Sequence, residues 1–318
     1  MVKISPPTDL SWYLEEIKKL LVRKNAKRED TTEQYNNRVR EFSDVLSKMN
    51  VSLNDFSSKK GLSLFEEFIL APYNDLFRIK EKIVAKRRGG GLSTFIKLYN
   101  NFSKKNINNL IVDKLNLKVC PFCNENYIMN RGPKHTSAQL DHFFPKESYP
   151  IFAICLFNLV PSCYACNHIK STQQIYVSPH DQAFSFDNLK ISYRPIDDSF
   201  INDYHKINVK FIVPDNEIGE KIKGNIKALR LENSYAHHAD YVQDILKKGQ
   251  IYNDSRIVEL LTNHPQLFKS KSEIVSLVFS NYIDENDLNK RPLSKLTRDI
   301  LQEIGILEGV LGSVSNSV

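Results

Sequence analysis

Apolar positions recur at helical spacing through the first third of the chain. Leu10, Tyr13, Leu14, Ile17, Leu20 and Leu21 share one face of a 3.6-residue repeat, as do Tyr35, Val39, Phe42, Val45, Leu46 and Met49. Steps of three and four residues predict amphipathic helices. Thr31 and Thr32 suit the start of the second, with Glu33 in its first turn. Phe65–Leu70, Leu76–Val84 and Phe95–Leu115 predict further helical segments. Gly89-Gly90-Gly91 separates the last two, because three glycines cost too much backbone entropy inside a helix. Residues 1–115 therefore read as a helical N-terminal region.

The pattern changes over residues 116–172. Short apolar runs at Gln139-Leu140 and Asn158-Leu159-Val160, with several prolines, predict short strands and turns in a unit with little core of its own. Such units usually need a staple. Residues 173–318 open with alternating stretches at Phe184–Phe186, Lys190–Tyr193 and Ile207–Val213, which predict strands. Helical spacing follows at Ser234–Lys248, Asp254–Leu261, Ser272–Tyr282 and Leu293–Ile304. The expected fold class is α+β and mainly helical. A small stapled unit stands between a helical N-terminal region and a C-terminal region of a few strands plus helices.

Charge sharpens this division. The chain carries 44 Lys+Arg against 37 Asp+Glu, a net +7. Residues 1–115 hold 22 and 14 (+8), residues 116–172 hold 5 and 3 (+2), and residues 173–318 hold 17 and 20 (−3). The basic excess is N-terminal and suits a polyanionic partner. Its densest stretch, Arg78–Arg88, places Lys80, Lys82, Lys86 and Arg87 along a helix, with Arg88 entering the glycine run. That stretch suits a phosphate backbone, and equally a solvated helix end where cations favour the dipole. No apolar run approaches the roughly 20 residues of a bilayer span, so no membrane-spanning segment is expected. The opening MVKISPPTDLSWYLEE turns acidic where a secretory signal would be apolar, and a cytoplasmic location is expected.

Four of the five cysteines form two pairs, Cys120-Pro-Phe-Cys123 and Cys163-Tyr-Ala-Cys166. A two-residue gap lets two thiolates grip one Zn²⁺, so the pairs predict a tetrahedral Cys₄ site clamping the ends of the intervening segment. Four sulfurs close the coordination sphere, which makes this zinc structural and leaves chemistry to other residues. Cys155, inside the apolar run Ile151–Phe157, reads as a core residue.

Within and beside the clamp run Leu140-Asp-His-Phe-Phe-Pro-Lys-Glu-Ser-Tyr-Pro150 and Asn158-Leu-Val-Pro-Ser-Cys-Tyr-Ala-Cys-Asn-His-Ile-Lys170. Singly, an Asp-His pair, a turn asparagine or an asparagine after a cysteine say little. In this order the segment resembles the HNH nuclease motif, a ββα-metal finger. The resemblance implies a metal-dependent endonuclease hydrolysing phosphodiester bonds. His142, with an ordinary pKa near neutrality, becomes the general base facing the scissile phosphate. Asp141 and Asn167 become oxygen ligands of a catalytic Mg²⁺ or Mn²⁺, distinct from the zinc. Asn158 matches the middle asparagine that orients the loop beside the base. Lys170, three residues after Asn167, is expected on the same helix face to meet a phosphate. The third letter of the motif is Asn167 in place of histidine; His168 stands one residue out of register, about 100° around a helix. His135, His180, His205, His237, His238 and His264 read as ordinary polar positions.

Two C-terminal segments, Leu231–Tyr241 and Arg291–Ile300, resemble bacterial HNH proteins encoded beside an ATPase, of the Septu and retron-associated antiphage type. That implies an ABC/SMC-like ATPase subunit as partner, a hetero-oligomer, and nucleic acid as substrate, with DNA preferred. The chain has no G-x-x-x-x-G-K-[ST], so nucleotide chemistry belongs to a partner. Two other readings fit the same residues: the same nuclease acting on RNA such as tRNA, or a catalytically silent zinc-stapled module that binds nucleic acid or protein.

Overall fold

Helix signals in the sequence are met by a mainly helical chain with two small two-stranded sheets, seen in a computed structural model. It describes residues 1–22, 28–83, 92–103, 105, 107–132, 135–171, 173–308 and 310. The N-terminal helices are α1 (Ser11–Leu21), α2 (Arg28–Lys48), α3 (Leu64–Ile69), α4 (Tyr73–Ile83), α5 (Leu92–Ser103) and α6 (Ile107–Lys114). They form where the apolar spacing predicts them, with two adjustments. The second helix begins at Arg28, so Thr31 and Thr32 lie within it, and the segment ending at Leu115 is two helices rather than one. Helix α3 starts on a capping box, in which Ser63 Oγ accepts from the Glu66 amide and Glu66 Oε2 from the Ser63 amide.

The middle of the chain contributes β1 (Gln139–His142), β2 (Leu159–Ser162) and α7 (Tyr164–Lys170). The strands pair antiparallel, with Asp141 opposite Val160 and His142 opposite Leu159. Two short 3₁₀ turns, Pro150–Ile154 and Leu156–Asn158, fill the connection between them. The C-terminal region holds β3 (Lys190–Pro195) and β4 (Ile207–Ile212), again antiparallel, then α8 (Glu217–Ala228), α9 (Leu231–Tyr235), α10 (Ala239–Ile251), α11 (Asp254–Asn263), α12 (Lys271–Val278) and α13 (Ser294–Glu303). The expected strand at Phe184–Phe186 does not form. Phe184 is buried in a loop and Phe186–Asn188 is a 3₁₀ turn, because Asn188 and Ser185 bond locally in a capping box and take the amides a strand would pair.

Two apolar cores hold these elements. The larger runs from Met1 through the N-terminal helices, the β1–β2–α7 unit and α8 to Leu231, so residues 115 and 172 do not divide the core. Aromatic side chains join its parts: Phe42 stacks on Phe65, and Phe68 stacks on Phe152 with centroids 5.6 Å apart. Tyr13, fully buried on α1, donates its hydroxyl to the Ile154 carbonyl at 2.7 Å. The smaller core lies among β3, β4 and α10–α13, where Asp299 on α13 accepts from the Ile191 amide. Among the described residues, no helix is long and apolar enough to cross a membrane.

Of the basic stretch Arg78–Arg88, the described cations are engaged within the chain. Arg78 pairs with Asp75, Lys82 with Asp55 and Lys80 with Glu81. Lys86, Arg87, Arg88 and Gly89–Gly91 lie outside the described residues.

Candidate metal centre and adjoining cleft

Cys120 and Cys123 sit on a tight turn closed by a bridge between Val119 and Tyr127. The Cys120 amide donates to Asn126 O and the Asn124 amide to Cys120 O, at 2.9 and 2.8 Å. Asn124 takes a φ of 58°, a left-handed conformation asparagine tolerates better than most residues. The second pair straddles the start of α7. Cys163 is its N-cap and accepts from the Cys166 amide through Sγ at 3.4 Å. All four sulfurs fall within 4.8 Å of one another, and all four residues are buried. The cluster can therefore hold one structural metal such as zinc, with sulfur the only donor type it offers. Hydrogen bonds among the four sulfurs pull the Cys163 and Cys123 thiols down and push Cys166 up, while burial pushes Cys120 up. Cys155 stands apart in the core, where burial pushes its thiol up.

The C-terminal segments singled out in the sequence grip this turn. Tyr235 donates its hydroxyl to Cys123 O at 2.5 Å, and Ser234 and His238 both contact Glu125 Oε1. From the second segment, the Leu293 amide donates to Asn124 O and the Lys295 amide to Asn124 Oδ1. Both segments thus have a structural task at the metal centre, which their one-dimensional pattern did not announce.

Beside the cysteines, Leu140, Asp141, His142, Pro145, Lys146, Glu147, Asn167, His168 and Ser171 line a cleft of about 280 Å³. His142 is nearly buried. Its Nε2 lies 3.1 Å from the Ala153 carbonyl, to which it must donate, so Nδ1 is the basic nitrogen. Tyr99 of α5 packs edge-on against the ring with centroids 5.0 Å apart. Burial, together with the charges of Lys146 and Lys170, pulls the imidazole down to about 3, so the ring is neutral at pH 7. Asp141 accepts from Lys170 Nζ at 2.9 Å through Oδ1, while its Oδ2 is buried with no partner. Burial drives this carboxyl up, opposed by Lys170 and Lys146. Asn167 donates its amide nitrogen to Gln139 Oε1 at 2.6 Å, which leaves its carbonyl oxygen free. Asp141 Oδ2 and the Asn167 amide oxygen are of the donor type that a hard divalent cation takes.

Asn158 does not reach the cleft. It is fully buried and ties the connecting loop together, accepting from the Phe144 amide at 2.7 Å and donating to the Phe144 and Phe152 carbonyls. That is the loop carrying Ala153, the partner of His142. Asn158→Ala leaves these backbone groups unpaired in a dry site and is expected to cost about 3 kcal/mol in urea unfolding. A loss below about 1 kcal/mol would contradict the role.

Lys170 corrects an expectation. It does not share Asn167's outward face: it is buried at 1% exposure, with Nζ bound to Asp141 Oδ1 and to the His142 carbonyl, each at 2.9 Å. A turn of α7 points it inward, where the ammonium serves the β1 strand instead of solvent. His168 lines the cleft on the exposed side of the helix. Tyr99, Gln139 and the Ala153 carbonyl escaped the sequence reading. Only Gln139, at the edge of the motif, carried any signal. Compared with protein-family models, with curated proteins and with solved structures, the chain finds no match.

Proposed function

We propose that the chain is a metal-dependent HNH endonuclease that hydrolyses phosphodiester bonds, preferably in DNA, as the effector of a prokaryotic antiphage system gated by an ABC/SMC-like ATPase. The observation that carries this reading is the meeting of Asp141, His142 and Asn167 on one polar cleft, supplied by β1 and by α7, whose start the cysteine cluster anchors. Asp141 and Asn167 would hold a divalent cation, which when bound offsets charge on the phosphoryl and leaving oxygens. His142 Nδ1, neutral and unpartnered, takes the proton of the attacking water. The Ala153 carbonyl and the Tyr99 ring fix the imidazole, and the bond to Ala153 occupies Nε2. Lys170 opposes the upward push of burial on the Asp141 carboxyl and ties it to the β1 backbone.

The test incubates the full chain, alone and with the ATPase encoded beside it, with DNA and tRNA in Mg²⁺ or Mn²⁺. Cleavage that needs the added cation is expected, and no cleavage under any of these conditions sinks the reading. Fragmented tRNA with intact DNA would move the substrate to RNA.

One observation favours the silent-module reading: the Lys170 ammonium already occupies one oxygen of Asp141 and could serve in place of a metal. The two readings part in a metal titration without substrate. A cation on Asp141 is expected to raise the melting temperature of the wild-type chain with Mn²⁺, and Asp141→Asn to remove that rise. Lys170→Met breaks a buried pair and is expected to cost about 3–5 kcal/mol, part of which Mn²⁺ restores. Neither protein responding to Mn²⁺ would favour the silent module.

A further inference from the structure

We propose that the exposed face of α7 is a stacking platform for an unpaired nucleobase, so that the substrate strand is single-stranded where it enters the cleft. The proposal rests on the nuclease reading of the cleft and adds the class of strand it takes. Residues 164, 167 and 168 share one face of α7 at intervals of three and four, and Ser171 caps its end. Asn167, His168 and Ser171 line the cleft, and Tyr164 extends the same face by one turn beyond them. Tyr164 and His168 form a parallel aromatic pair, with centroids 5.4 Å apart and planes 8° apart. Tyr164 is 65% exposed, one of the most exposed large rings among the described residues, and it sits between Cys163 and Cys166 at the start of the helix. A ring held parallel to His168 beside the cleft offers a base a flat surface.

The electrostatics point the same way. The cleft offers Lys146 against Glu147 and Asp141, and Lys170 is consumed inside, so Coulomb attraction for a polyanion is weak there. Stacking supplies affinity at the cleft that its side-chain charges do not. Bases in a duplex stack on one another and present only their edges, so a lone aromatic face is usable by a strand whose bases are free.

The test uses the full chain carrying His142→Ala, which removes turnover from the measurement. Single-stranded DNA and RNA oligonucleotides containing one 2-aminopurine, and the matching duplexes, are titrated in buffer without Mg²⁺ or Mn²⁺. Binding is followed by anisotropy and stacking by 2-aminopurine quenching. Both single strands are expected to bind and be quenched, at least about tenfold more tightly than the duplexes. Adding Tyr164→Ala is expected to weaken single-strand binding by about five- to hundredfold and abolish the quenching, whereas Tyr164→Trp retains both. His168→Ala, which removes only the ring beneath, is expected to cost a few-fold. Equal affinity for duplex, quenching unchanged by Tyr164→Ala, or no binding of either strand would overturn the platform. Cleavage by wild-type chain that Tyr164→Ala leaves intact would discard the platform and keep the nuclease. A working platform on a chain that never cleaves would do the reverse.

Discussion

Cys163→Ala is expected to unfold the chain's centre, with loss of the bound metal and of the cooperative melting transition. Structural zinc contributes about 10–16 kcal/mol in small zinc peptides, against a total stability of about 5–15 kcal/mol for a typical domain. The β1–β2–α7 unit has only four-residue strands and a seven-residue helix, too little regular structure to persist alone. Its apolar residues belong to the larger core, so the damage is expected to spread: Phe122, Ile128 and Phe152 pack in one cluster with Phe68 and Phe95. Cys163 also caps α7, so the substitution removes a ligand and a helix start together. The measurement is zinc content per chain with thermal melting by circular dichroism. Wild type is expected to hold one zinc, and Cys155→Ala to keep it, since Cys155 lies apart from the cluster. A zinc-free wild-type chain melting as the loaded one does would show that the four sulfurs are ordinary core thiols.

His142→Ala is expected to lower cleavage by about 10²–10⁴-fold, the range a positioned general base supplies. The ring's two nitrogens divide the labour. Nε2 is spent on the Ala153 carbonyl, which leaves Nδ1 to accept a proton; burial keeps the ring neutral at pH 7 and at the same time makes it a weaker base than a free imidazole. The variant also deletes a buried ring packed on Tyr99, so its melting temperature must be measured beside its rate. Ala153 contributes only a backbone carbonyl to this contact, and its substitution by serine should change the rate little. A His142→Ala chain that stays folded and cleaves at the wild-type rate would remove His142 from the chemistry.

Much of the fold was legible because helices advertise themselves locally. The 3.6-residue spacing over Leu10–Leu21 and Tyr35–Met49 marks faces that do enter the core, where Tyr13, Ile17, Phe42 and Leu46 are fully buried. The strands at Lys190–Pro195 and Ile207–Ile212 follow from alternation for the same reason. Phe184–Phe186 alternates too, yet forms no strand, because three residues beside a local asparagine cap have a cheaper hydrogen-bonding solution. At the site, the two-residue gaps of the cysteine pairs were sufficient to bring out the cluster, since each gap presents two sulfurs from one turn.

Lys170 shows where that legibility ends. Spacing put it near Asn167 around the helix, but whether the side chain turns to solvent or to Asp141, 29 residues earlier, depends on how α7 lies against β1. The same holds for Tyr99 on His142, and for Tyr235 and Leu293 on the Cys120–Cys123 turn, contacts that join distant parts of the chain. Local spacing is written into a few adjacent residues by the geometry of helix and strand, and it determined the helices, the cysteine clamp and the order of the Asp-His, Asn and Asn-x-x-Lys set. Which of those side chains face the cleft, which are spent holding it together, and why the +8 of charge on residues 1–115 gives the cleft no basic excess, were settled by packing between elements, because burial and pairing are properties of neighbours in space.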